Sequence, residues 1–299
     1  MITHSNDSNT RGIINMKKYL AILLAAVLVL AMFAGCAKKE EPAEQEEPVV
    51  TAPANKLEAI QQAGKIVMCT SPDYAPYEFE DLSKQGQEQY VGSDIELGKY
   101  IAEQLGVELE IKAMDFSTCL EAITQGTVDM GITGLAYKED RAETMQLVGP
   151  YNLGGDGYQG ALIKKDSGIN TIDDLNGHKI GAQNASLQYT FAETYGGADS
   201  EIVPVSDLGL GVMMLEEGKL DVLIISSVTG ENFAKNYDDI VMSEIRFPNP
   251  DGTYVGITNG ETELAEAIQK IVDEAESSGK CAQWLADAKA LATSMGIDQ

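Results

Sequence analysis

Few side chains in this sequence could do covalent or metal chemistry, and their spacing narrows the choice further. Three cysteines, Cys69, Cys119 and Cys281, lie far apart with no C-x-x-C pair, which argues against a zinc or redox motif. They read as buried thiols, with a Cys69–Cys119 disulfide as the sharper alternative that only geometry decides. His4 stands near the N-terminus, so a metal site or a Ser-His-Asp triad would have to be built on His178 alone, which follows Gly177 in a turn. A solvated loop histidine is the simpler reading. The cluster Gly154-Gly155-Asp156-Gly157 lacks the Lys-Ser/Thr and the immediately following helix of a phosphate loop. No catalytic group, metal or cofactor is expected.

The fourth thiol, Cys36, has a different context. Lys17 and Lys18, then an apolar run from Tyr19 to Gly35, have the basic and apolar regions of an export signal. The run ends in Leu30-Ala31-Met32-Phe33-Ala34-Gly35-Cys36, a small-small-Cys pattern that resembles a bacterial lipobox, whose thiol is diacylated and becomes the mature N-terminus. The alternative is a retained transmembrane helix, because the run is near the lower length limit for crossing a bilayer. The polar segment 1–15 precedes Met16, which is the expected start. Residues 1–35 are thus a leader with its signal peptide, and 36–55, rich in Glu, Pro and Ala, a lipidated tether with too few large apolar groups to order itself.

Charge limits the partners. The chain carries a formal −26, and removing a leader that holds Arg11, Lys17, Lys18 and Asp7 makes it −28. Such a field repels nucleic acid and anionic lipid, and neither is expected as a ligand.

The elements that must position any site alternate. Strands are expected at 65–70, 109–114 and 128–133, with helices at 93–105, 116–125 and 138–145, each read from β-rich runs or from apolar residues at helical spacing. Gly106 and Gly126 stop two of the helices. After the glycine-rich break at 151–157 the rhythm resumes, with strands at 158–164, 179–182, 201–205, 220–226 and 240–247 and helices at 186–195, 208–217 and 229–236. Two further helices, 263–275 and 280–292, should return to the first half. Alternation implies parallel strands covered by helices, with ligands beyond the carboxyl ends of the strands. The breaks at 151–157 and 248–252 suit two hinge crossings, although the first could equally be a surface loop. The expected fold class is α/β, with one lobe of residues 56–152 and 248–299 and a second of 153–247.

Several segments, in this order, resemble the amino-acid-binding family of ABC-transporter solute-binding proteins. They are Cys69-Thr70-Ser71-Pro72-Asp73-Tyr74-Ala75-Pro76-Tyr77-Glu78-Phe79, Tyr90-Val91-Gly92-Ser93-Asp94-Ile95-Glu96-Leu97, Gln125-Gly126-Thr127-Val128-Asp129-Met130, Glu139-Asp140-Arg141-Ala142, Gly149-Pro150-Tyr151, Ile172-Asp173-Asp174-Leu175-Asn176-Gly177 and Glu217-Gly218-Lys219-Leu220-Asp221. The resemblance implies the periplasmic-binding-protein type II fold, two α/β lobes joined by two hinge crossings and closing on a ligand. It also implies roles. Arg141 would hold the ligand carboxylate in its planar fork. Thr133 and Gly134 would face the ligand, Ser186 would act at a helix N-terminus, and Tyr74 and Phe116 would line the pocket. Without the resemblance, Arg141 reads as a surface helix residue and the two aromatics equally well as core.

Two positions depart from the family pattern. Ser226 stands where an Asp commonly pairs with the ligand ammonium, so Asp73, a cation–π contact with Tyr74 or Phe116, or a ligand without a free α-amine is required. Ser71 stands where members that bind basic amino acids are often acidic, which disfavours Lys, Arg or His. The implied function is a monomeric, lipid-anchored, extracytoplasmic protein that captures an amino-acid-like ligand for an ABC permease. A dehydratase-like enzyme on the same fold and a sensing domain for a separate receptor are the alternatives.

Overall fold

The computed structural model describes residues 52–154 and 157–296. Cys36, the apolar run before it, most of the tether, Gly155 and Asp156 lie outside them. Among the described residues no helix is long and apolar enough to cross a membrane.

The first lobe opens with helix α1 (Lys56–Ala63) and strand β1 (Lys65–Thr70). A small antiparallel sheet follows, made of β2 (Asp73–Tyr74), β3 (Glu78–Glu80) and β4 (Tyr90–Val91). Then come α2 (Ser93–Leu105), β5 (Glu108–Ala113), α3 (Phe116–Gln125), β6 (Met130–Leu135), α4 (Glu139–Thr144) and β7 (Met145–Tyr151). The second lobe holds β8 (Gln159–Lys164), β9 (Lys179–Gln183), α5 (Leu187–Tyr195), β10 (Glu201–Val205), α6 (Leu208–Glu216), β11 (Val222–Ser226), α7 (Ser227–Ala234) and β12 (Ile240–Met242). The chain returns to the first lobe with β13 (Thr253–Thr258), α8 (Thr262–Ser277) and α9 (Lys280–Ser294).

Each lobe is a five-stranded sheet, in the orders β5-β1-β6-β13-β7 and β10-β9-β11-β8-β12. The expected parallel pairing holds for β5-β1-β6 and β10-β9-β11. It fails at the other side of each sheet, where β13, β7, β8 and β12 pair antiparallel. These strands are where the chain leaves and re-enters a lobe through a hinge crossing rather than through a crossover helix, so nothing forces them parallel. The expected strand 240–247 also stops at Met242, with only a single bridge from Phe247 to Gln159 beyond it.

Sheets covered on both faces need apolar residues pointing both ways. In β11 every residue is buried, with Val222 and Ile224 in one core cluster and Leu223 and Ile225 in the opposite one. In the first lobe Ile66 and Met68 face the cluster built with α2, α8 and α9, while Cys69 faces the one under α3. The three described cysteines are buried and unpaired, so the Cys69–Cys119 disulfide is not formed. His178 is a half-exposed turn residue with Nδ1 3.3 Å from Asp221 Oδ2.

Candidate functional site

A cavity lies between the lobes, and all eight sequence-predicted positions line it: Ser71, Tyr74, Phe116, Thr133, Gly134 and Arg141 from the first lobe, Ser186 and Ser226 from the second. The strand ends explain why. Ser71 follows β1, Thr133 and Gly134 lie near the end of β6, and Ser226 ends β11, so the parallel strands point their carboxyl ends at the gap.

Arg141 sits in the short helix α4 yet is only 5% exposed. Its Nη1 donates to the Ala136 carbonyl and its Nη2 reaches across the cleft to the Ala185 carbonyl at 3.2 Å. Its Cζ lies 5.6 Å from the centroid of the Phe116 ring. Among the described residues no carboxylate is ion-paired with it, and burial lowers its pKa to about 10. A guanidinium has five N–H donors, so this one keeps donors for an incoming acceptor. Ser186 caps α5, accepting the Tyr189 N–H at 3.0 Å. Ala185 before it takes a positive φ of 62°, a turn that brings the first turn of α5, with Leu187 and Gln188, to the cavity wall.

Tyr74 stacks on Tyr77 with ring centroids 5.0 Å apart. Its ring packs against the second-lobe cluster that contains Ile225, it lines the cavity together with Ser226, and burial raises the pKa of its hydroxyl. Ser226 therefore shares the cavity wall with an aromatic residue at the position where the family pattern carries an acid. Gly134 has φ 58°, and a Cβ there would lie 2.9 Å from Tyr74 Cε1. The glycine lets the tyrosine lie against the strand.

Two of the predicted donors point inward. The Thr133 hydroxyl donates to Glu78 Oε1 at 3.0 Å, and the Gly134 N–H donates to Asp94 Oδ2 at 2.9 Å. They build the cavity floor from below. Sequence reasoning missed Glu78, whose only local signal is an acid between Tyr77 and Phe79 in a β-type run. It also missed Gln183, which lines the cavity from β9.

Asp73 joins the lobes. Its Oδ1 accepts the Ser71 hydroxyl at 2.9 Å, and its Oδ2 accepts Gln183 Nε2 at 3.0 Å and the Leu208 N–H at 2.8 Å. Burial raises its pKa to about 6, against these hydrogen bonds. Thr229 adds a further tie, donating to the Ala75 carbonyl at 3.0 Å. Among the described residues the arrangement is a cleft with one cation, aromatic walls and a floor of hydrogen-bonded acids.

Known proteins share this architecture. The model of the bacterial extracellular solute-binding proteins, family 3, matches residues 66–287. The chain is 28% identical over 275 residues to the arginine-binding extracellular protein ArtP of Bacillus subtilis (strain 168), covering 89% of this chain and 95% of that one. It is 24% identical over 265 residues to a probable histidine-binding protein of Campylobacter jejuni, covering 88% and 95%. Among solved structures, the amino acid ABC transporter substrate-binding protein AbpA of Streptococcus pneumoniae, bound to L-arginine, superposes with a TM-score of 0.72 at 30% identity, over 81% of this chain and all of that one.

Proposed function

The chain belongs to family 3 of the bacterial extracellular solute-binding proteins, and from that premise we propose that it captures an amino acid, or a carboxylate shaped like one, and delivers it to an ABC permease. The observation that carries the reading is Arg141: a buried guanidinium at the cleft that is ion-paired with no carboxylate among the described residues. An uncompensated buried charge is costly, and a ligand carboxylate would compensate it through bidentate, charge-assisted bonds. Phe116 and Tyr74 would pack the remainder of the ligand, with Ser71, Thr133, Gly134, Ser186 and Ser226 shaping the walls.

Lobe closure over the ligand, through the contacts of Asp73 and Thr229, would present the transporter with a distinct surface. The relatives' names support a binding role rather than turnover. Cys36 would carry the lipid that tethers a monomer at the outer face of the membrane, the acidic 36–55 segment serving as spacer.

A thermal-shift screen of the purified protein against the standard amino acids tests the reading, because a ligand that binds only the native state raises its melting temperature by mass action. A selective shift is expected. No shift with any amino acid would discard the free α-amino-acid ligand and, with Ser226 in mind, turn the screen to other carboxylates.

A further inference from the structure

Beneath the cleft floor, two carboxyl groups from separate elements meet in the first lobe. Glu78 opens β3 and Asp94 lies in the first turn of α2, and they are 1% and 0% exposed. One oxygen of each is accounted for. Glu78 Oε1 accepts the Thr133 hydroxyl, whose oxygen in turn accepts the Ser71 N–H at 3.0 Å. Asp94 Oδ2 accepts the Gly134 N–H and, at 2.8 Å, the Tyr151 hydroxyl. The other oxygens, Glu78 Oε2 and Asp94 Oδ1, are buried and no donor reaches either. The Asp94 N–H donates to the carbonyl of Tyr77, the residue before Glu78, at 2.9 Å, and the place of the missing Gly134 Cβ, next to the N–H that Asp94 accepts, is 3.7 Å from Glu78 Oε1, so the two carboxyls lie side by side. Two ionised carboxylates so placed could not bond to one another, because each only accepts.

We infer that Glu78 and Asp94 share one proton at neutral pH, Glu78 being the carboxylic acid that donates to Asp94, and that this chain of hydrogen bonds positions Ser71, Thr133 and Gly134 at the cleft floor. The proton belongs to Glu78 because Asp94 is the better-supported anion: its outer oxygen accepts two donors, that of Glu78 only one hydroxyl. The titratable groups that face the pair from the elements around it are Asp73, Tyr74, Tyr77, Tyr151, Cys119 and Cys281. None is a cation that could stabilise a second negative charge. Burial, then the charge of Asp94, holds the Glu78 carboxyl well above its ordinary range, the direction the shared proton requires.

The proton has two effects. It closes the run from Ser71 through Thr133, Glu78 and Asp94 to Gly134 without an unsatisfied buried atom. It also removes a negative charge from the wall of a cavity meant for a carboxylate. Both effects on binding rest on the ligand site proposed above; the shared proton itself does not.

Infrared spectroscopy and amide hydrogen exchange test this without any ligand. At neutral pH, where ordinary carboxyls are ionised, the wild type should show a carboxylic-acid C=O stretch that shifts in D2O, and Glu78→Gln should abolish it. Glu78→Gln should keep the Ser71 and Gly134 amides protected to within about threefold, since its oxygen still accepts from Thr133 and its NH2 still donates to Asp94. Glu78→Ala, which leaves both without partners, should speed their exchange about tenfold or more. No such band in the wild type, its survival in Glu78→Gln, or equal loss of protection in both variants would overturn the assignment. A failed amino-acid screen would count against the proposed function and leave this result standing.

Discussion

The Asp73 carboxylate of the first lobe accepts the Leu208 N–H at the start of α6 in the second lobe, 2.8 Å away. An anion at a helix N-terminus is a favourable pairing, but this one is made largely out of water, and burial raises its pKa from 3.8 to about 6. The sign follows from linkage. A carboxyl that holds its proton more tightly in the native form than in the unfolded chain costs stability as pH rises from about 4 to about 6, and a constant amount above.

Asp73→Asn removes that slope. The stability of the variant minus that of the wild type should rise by ~1–2 kcal/mol between pH 4 and pH 6. Urea denaturation at both pH values measures it, and the difference cancels the background of a strongly acidic chain. A difference that does not change with pH would show that Asp73 titrates normally.

Thr229 and the Ala75 carbonyl make a buried contact between the lobes. In Thr229→Val the shape is kept and the donor lost, leaving the carbonyl unsatisfied only when the cleft is closed, at a cost of ~1–2 kcal/mol. Amino-acid affinity should fall about tenfold, with little change in the melting temperature of the unliganded protein. Wild-type affinity, read by calorimetry, would mean that the contact does not operate in the bound state.

The cysteines give a redox prediction. Cys69 and Cys119 pack in one cluster, with the Cys69 thiol 3.7 Å from the Cys119 carbonyl, and Cys281 is buried elsewhere. Burial of a thiol suppresses thiolate formation, and the pKa of Cys281 is pushed up to about 12. In a Cys36→Ser background all three should resist a thiol reagent in the native state, react on unfolding, and leave the melting temperature independent of reductant. Loss of stability in dithiothreitol would reveal a disulfide.

What the sequence made legible follows physical lines. The helix at Ser93–Leu105 was readable because its apolar spacing is regular and Gly106 stops it in the left-handed conformation, at φ 72°. Strands β7 and β13 were not. One contains Gly149-Pro150, the other follows Pro248-Asn249-Pro250 and contains Gly256, so breakers masked their β character. Gly256 serves packing instead: a Cβ there would meet Leu135 Cδ1 at 2.9 Å. Arg141 could be named only through the family pattern, since its local sequence reads as a surface helix and its burial is tertiary. Glu78 and Asp94 stood in separate segments with nothing local to pair them, because the two acids come together only when β3 packs against the start of α2.

Calorimetry of the wild type and Arg141→Met with the most stabilising amino acid tests the central claim most directly. The variant should lose about 100-fold or more in affinity, since charged hydrogen bonds to the carboxylate disappear. Its unliganded melting temperature should hold or rise, because an unpaired buried charge has been replaced by an apolar side chain. Affinity within about threefold of wild type would mean that the ligand is held elsewhere and that Arg141 does not bind its carboxylate.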